Sequence, residues 1–163
     1  MVELCCGAGV IGAAIADRAP EAEVWASDVD PVAVECARRN LAPDRVLEGN
    51  LYDALPAALR GRVEVVVVNA PYVPTDAIAA MPPEARDHEP RVALDGGVDG
   101  LDLHRRVVAE AEPWLAASGV IVIETSRAQA TRTVAIAAEA GFAAWVEADD
   151  DLDATAVVAR SVG

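Results

Sequence analysis

Short β-rich apolar runs alternate with longer Ala-rich stretches along almost the whole chain. That alternation constrains the fold more than any other feature. The runs Val2–Cys5, Glu23–Ser27, Val46–Glu48, Val63–Asn69, Gly119–Glu124, Phe142–Glu147 and Ala154–Arg160 read as strands. Val63–Asn69 is largely apolar, as expected of a strand covered on both faces. Between the runs, helices are predicted over Val10–Arg18, from Pro31 to about Asn40, over Ala54–Leu59, Leu101–Leu115 and Arg127–Ala140. Asp30 is a natural N-cap before Pro31, and Gly141 ends the last helix. Residues 70–100, rich in Pro, Gly and Asp, read as a long functional loop. Strand–helix alternation predicts an α/β, Rossmann-like, mainly parallel sheet of seven strands with helices on both faces. The last two strands are joined by the acidic turn Asp149–Asp153, too short for a crossover. They are expected to form a C-terminal antiparallel hairpin.

A length of 163 residues suggests one domain over 1–163, and 53 % apolar residues exclude a disordered or collagen-like chain. No apolar stretch reaches the ~18 residues of a membrane span, and Met1-Val2-Glu3-Leu4 does not open a secretory signal. The formal net charge is −14, and every basic residue is Arg. Such a chain repels a phosphate backbone at long range, which disfavours nonspecific nucleic-acid binding. Cys5, Cys6 and Cys36 offer neither a disulfide framework nor metal spacing. No metal is expected, and a reducing, cytoplasmic compartment is the default.

Gly7-x-Gly9-x-x-Gly12 follows the first strand and opens the first helix, and Asp28 ends the second strand. Glycines let a backbone approach a ligand, helix-end N–H groups face it, and a carboxylate can accept two ribose hydroxyls. The setting predicts a nucleoside cofactor, with a ligand-free glycine turn as the plain alternative. Glu3 lies in the first strand, just before the glycines. A carboxylate there suits a cofactor with a cationic amino-acid end and repels a pyrophosphate, which favours S-adenosylmethionine over a dinucleotide. Cys5 and Cys6 flank the loop as small packing residues. Asn50 follows the third strand, where such folds contact adenine; an ordinary polar loop residue is the alternative.

Asn69-Ala70-Pro71-Tyr72 ends the fourth strand, at the sheet edge where open α/β folds bind ligands. An amide nitrogen is a poor nucleophile because its lone pair is delocalised. The Asn69 side-chain oxygen and the residue-70 carbonyl could each accept one of its N–H groups and orient it. Pro71 fixes the backbone, and Tyr72 can cover a planar group. No strong base is needed if the proton leaves after transfer, so positioning and fixed polarity carry the catalysis. An Asx-Pro turn closing a strand is the alternative.

Together these residues resemble a class I S-adenosylmethionine-dependent methyltransferase, and more closely the HemK/PrmC family of protein-glutamine methyltransferases acting on peptide-chain release factors. Glu3-Leu4-Cys5-Cys6-Gly7-Ala8-Gly9 resembles the cofactor loop, and Asp28 the ribose-binding acid. Asn69-Ala70-Pro71-Tyr72-Val73-Pro74 resembles the family's N-P-P-Y-[IV]-P. His88-Glu89-Pro90, Ala93-Leu94, Gly96-Gly97 and Asp99-Gly100-Leu101 resemble its more specific E-P-x-x-A-L-x-G-G-x-D-G-L segment, and Glu124 with Gln129 its E-x-x-x-x-Q. The resemblance implies that Gly7, Ala8, Gly9, Asp28 and Leu51 line the cofactor, while Asn69, Ala70, Pro71 and Tyr72 hold the target glutamine amide. Asn69 and Tyr72 are the catalytic candidates, and a release factor is the implied partner.

The chain departs from the family at Ala70, where proline is usual, and at Asn50, where Asp is common. It also begins at the first strand, whereas family members carry an N-terminal helical region that helps recognise the protein substrate. Of the two histidines, His104 reads as a surface residue and His88 as a loop-ordering one. Three other readings stay open: methylation of a nucleic-acid exocyclic amine, a nicotinamide-dependent oxidoreductase, and a non-catalytic methyltransferase-like binding module. The charge of −14 opposes the first. Glu3 and the tetrapeptide have no obvious use in the second.

Overall fold

The computed structural model describes residues 1–82 and 91–162. In chain order the elements are β1 (Val2–Leu4), α1 (Val10–Arg18), β2 (Trp25–Asp28), α2 (Pro31–Ala37), β3 (Val46–Glu48), β4 (Val63–Val68), α3 (Asp102–Ala111), β5 (Leu115–Glu124), α4 (Arg127–Glu139), β6 (Phe142–Asp149) and β7 (Ala154–Ser161). The strands form one sheet in the order β3-β2-β1-β4-β5-β7-β6. From β3 to β5 the pairings are parallel, and β7 runs antiparallel to both β5 and β6. The expected seven-stranded, mainly parallel sheet with a C-terminal antiparallel hairpin is therefore present.

Register explains why these sequences fold together. Val2 aligns with Trp25 and Val66, and Leu4 with Ser27 and Val68. That face packs with Tyr52, with Val107 and Ala111 of α3, and with Ala137 of α4. The intervening residues point the other way: Ala26, aligned with Glu3 and with Val46, packs with Val34 and Ala37 of α2. Period-2 alternation of buried side chains thus requires helices on both faces. Tyr52 closes one side, stacking on Trp114 at 6.0 Å and donating its hydroxyl to the Val107 carbonyl at 3.0 Å.

Several boundaries differ from the sequence expectation. The helix predicted to reach Leu115 stops at Ala111, because Pro113 follows and Leu115 is recruited into β5 by pairing with Val63. Ala54–Leu59 is not one helix. Two 3-10 turns, Leu51–Ala54 and Ala57–Leu59, flank Pro56. The long loop contains a further such turn at Thr75–Ala80 and another at Arg91–Ala93. Asp30 does cap α2, accepting from the Val32 N–H at 2.8 Å.

His104 is the clearest correction. It is fully buried, not a surface residue, because it shares the inward stripe of α3 with Val107, Val108 and Ala111. The Thr133 hydroxyl donates to the Gln129 carbonyl, so its oxygen accepts from His104 Nδ1–H at 3.0 Å. Nε2 has no partner among the described residues, and burial, with Arg105 nearby, lowers the imidazole from 6.5 to about 4. The neutral ring is thus the folded form, and its stabilisation is present above 6.5 and lost as pH falls towards 4. The urea midpoint is expected to fall between pH 6.5 and 5, before most carboxylates titrate. In His104→Gln, which cannot titrate, that slope should flatten; an unchanged slope contradicts the assignment.

Candidate active site

Strand order reverses between β1 and β4, and the connections that follow these two strands leave on opposite faces of the sheet. A crevice opens beyond their carboxyl ends, as it does at such a switch point generally. Its volume is about 1310 Å³, larger than one small ligand needs.

The floor is the turn between β1 and α1. Cys5 leaves the strand at φ 53°, an unusual conformation for a side-chain-bearing residue, and Gly7 and Gly9 follow at φ 53° and 72°. Glu3 lies buried beneath this turn and accepts from the Gly12 N–H at 2.7 Å. A carboxylate thereby satisfies a free amide in the first turn of α1 and complements its dipole. Burial still pushes the Glu3 carboxyl upward, against the lowering effect of its backbone hydrogen bonds. Gly12 must be glycine for this arrangement, since a Cβ there would lie 2.6 Å from Glu3 Oε2. Asn40 Nδ2 holds the Ala8 carbonyl from outside at 2.9 Å.

Asp28 faces the turn across the crevice mouth. Its Oδ2 accepts from the Gly7 N–H at 2.8 Å and its Oδ1 from the Asp30 N–H at 2.9 Å. Each oxygen keeps a further lone pair for a ligand hydroxyl. Space above Gly7 is open. The opposite wall carries Asn50 and Leu51. Leu51 also adopts a left-handed backbone, φ 51°, with its carbonyl held by the Ser27 hydroxyl at 3.1 Å. Asn50 Oδ1 accepts from Arg106 at 2.9 Å, and Arg106 bonds Glu110 as well. Arg106 was not expected from sequence, and no local signal could have revealed a partner 56 residues away.

The third wall is Asn69-Ala70-Pro71-Tyr72. Asn69 is exposed, lines the crevice, and its side chain has no hydrogen-bond partner among the described residues. Burial raises the half-buried Tyr72 phenol, with Glu124 adding to the effect, so it stays protonated at neutral pH. Glu3, Cys5, Cys6, Gly7, Asp28, Asn50, Leu51 and Asn69 to Tyr72 all line the crevice. Ala8 and Gly9 shape the turn from behind, Gly9 packing towards Leu41, and do not line it. The Cys5 and Cys6 thiols are both pushed up to about 12, by burial first and then by Asp28, which disfavours the thiolate form a nucleophile needs. His88, Glu89 and Pro90 lie outside the described residues. No group of metal-ligating side chains occurs among the described residues.

These groups fit S-adenosylmethionine. An open, glycine-floored turn leaves room for the cofactor, the Asp28 carboxylate keeps lone pairs that could accept ribose hydroxyls, and the acidic floor suits a cation better than a pyrophosphate.

Residues 1–82 match the model of the methyltransferase small domain. Ribosomal protein uL3 glutamine methyltransferase of Bordetella pertussis is 44 % identical over 129 residues, 76 % of this chain and 42 % of that protein. Release factor glutamine methyltransferase of Geobacter sulfurreducens is 34 % identical over 100 % of this chain and 58 % of its own length. The chain spans about half the length of the curated relatives it matches. Among solved structures, a methyltransferase from Pyrococcus furiosus superposes with a TM-score of 0.70 at 15 % identity, covering 98 % of this chain and 73 % of that one, which shows a shared fold.

Gly12→Ala is expected to destabilise the protein by about 1–3 kcal/mol, since the added methyl must displace the Glu3 carboxylate. Chemical denaturation reads this directly, and an unchanged midpoint would remove the carboxylate-under-turn account.

Proposed function

The chain belongs to the methyltransferase small domain family, and from that premise we propose that residues 1–163 form an S-adenosylmethionine-dependent domain that methylates a glutamine side-chain amide of a protein. A peptide-chain release factor is the acceptor this reading favours. The observation that carries it is Asn69: an exposed side-chain amide, without a partner among the described residues, at the carboxyl end of β4 and on the wall of the cofactor crevice. The names of the relatives support the choice of a glutamine acceptor.

When bound, S-adenosylmethionine supplies a methyl group made electrophilic by its sulfonium. The protein's task is to present an amide nitrogen to it. Asn69 Oδ1 and the Ala70 carbonyl each accept one N–H of the target amide, which fixes the plane of the group and turns its nitrogen towards the methyl. Tyr72, protonated at neutral pH, covers the planar amide and takes no proton. With the cofactor bound, the amide nitrogen held by Asn69 Oδ1 and the Ala70 carbonyl would take the methyl from the sulfonium, which would be left as the neutral thioether, and the surplus amide proton would pass to water rather than to a side chain. Rate enhancement comes from orientation and from acceptors already in place.

A second acceptor has one observation in its favour: the relative named for ribosomal protein uL3 shares 44 % identity with this chain. Both acceptors carry the same chemical group. A nucleic-acid amine is opposed by the net charge of −14. No helix among the described residues is long and apolar enough to cross a membrane, and the three free cysteines suit a reducing, cytoplasmic setting.

Asp28→Ala is expected to abolish measurable S-adenosylmethionine binding in a calorimetric titration; retained affinity would refute the ribose clamp. Asn69→Ala is expected to lower methyl transfer to purified release factor by about 100-fold while cofactor affinity stays unchanged. Equal turnover in the two proteins would refute the amide clamp. If cofactor binds but neither release factor, uL3 nor nucleic acid gains a labelled methyl group, the domain is a binding module.

A further inference from the structure

The strand-end segment that presents Asn69 is held by a side chain from another part of the fold. Gln129 sits in the first turn of α4, and its Nε2 donates to the Tyr72 carbonyl at 2.8 Å and to the Asp99 carbonyl at 3.3 Å. Its Oε1 accepts from the Ser126 hydroxyl at 2.6 Å. The orientation of the amide is fixed by chemistry, because two carbonyls can face only its NH2 end. The contact is closely packed: a Cβ on Gly100 would collide with both the Tyr72 carbonyl and Gln129 Nε2, and one on Gly96 would lie 2.8 Å from the Pro71 carbonyl.

The turn that shares Gln129 is itself anchored. Asp99 accepts from Arg105 and Arg132, and the Arg105 hydrogen bond above all holds its carboxyl well below the usual range. Backbone bonds link the two segments further, from Val73 N–H to the Leu94 carbonyl at 3.1 Å and from Gly96 N–H to the Val73 carbonyl at 2.8 Å. At residue 70 the chain lacks the ring that the N-P-P-Y pattern carries, so its backbone has one more free φ there.

We propose that Gln129 is a positioning residue for methyl transfer: its carboxamide locks the Tyr72 carbonyl to the Asp99 turn and so fixes where Asn69 and the Ala70 carbonyl point, a constraint that this chain needs because residue 70 is alanine. The inference rests on the methyl-transfer reading above. Gln129 touches neither cofactor nor acceptor in this account; it acts through the backbone of residues 70–73.

The test compares wild type, Gln129→Ala, Gln129→Glu and each variant combined with Ala70→Pro. Gln129→Glu keeps the shape but turns only acceptor oxygens towards two carbonyls. Both single variants are expected to lose about 100-fold in kcat for release-factor methylation with unchanged S-adenosylmethionine affinity, and Ala70→Pro is expected to restore about tenfold in each. Amide exchange should quicken at Val73 and Gly96 in both single variants and slow again with Ala70→Pro. Full activity in Gln129→Glu, or a loss that Ala70→Pro leaves unrepaired, overturns the proposal. If wild type itself transfers no methyl group, the functional reading fails, and exchange decides alone: faster exchange in both single variants upholds the clamp, and unchanged exchange overturns it.

Discussion

Neighbouring parallel strands β1 and β4 send their following helices to opposite faces of the sheet, and the gap between those connections is the crevice. Every functional group described above depends on that divergence. Glu3 and Leu4 are adjacent in sequence, yet the pleat puts the first under the glycine turn and the second in the opposite core. Asp28 closes the neighbouring strand at the same level and reaches back to Gly7. Asn69 leaves β4 on the other side of the gap. One sheet edge thus carries a glycine turn, a carboxylate and an amide within a single cavity.

Polar groups around the cavity divide by whether they are already satisfied. Glu3 is taken by backbone donors, Asn50 by Arg106, and Gln129 by Ser126 and two carbonyls. These hold shape. The Asn69 side chain, by contrast, has no partner among the described residues. An exposed amide wrapped in a rigid polar frame suits the positioning catalysis proposed above, because such a frame would leave little to reorganise. Left-handed backbone at Cys5 and Leu51, both on the cavity wall, belongs to the same pattern of local strain held by surrounding structure.

Much of this was legible in the sequence wherever the signal was local. Short β-rich apolar runs marked the strands, the short acidic connection marked the hairpin, and Asp30-Pro31 marked the start of α2. The glycine turn and the Asn69 segment could be placed because each lies within a few residues of a strand end. What escaped was set by tertiary structure. Leu115 continues a helical composition but is captured by β4, and His104 is polar in sequence yet lies on the buried phase of its helix. The Arg106–Asn50 and Gln129–Tyr72 contacts join residues 56 and 57 positions apart, so no motif of local spacing could announce them. Gln129 was visible as part of a resemblance, but its work on the Tyr72 carbonyl is visible in the structure alone.

The central proposal is one of place: an adenosyl sulfonium cofactor would be held over Gly7, with Asp28 available to its ribose and Asn69 on the wall beside it. A crystal structure of the protein with S-adenosylhomocysteine tests it most directly. The account predicts ribose hydroxyls on the Asp28 carboxylate and the thioether sulfur beside the Asn69 segment. Ligand density elsewhere, or a sulfur turned away from residues 69–72, would contradict it.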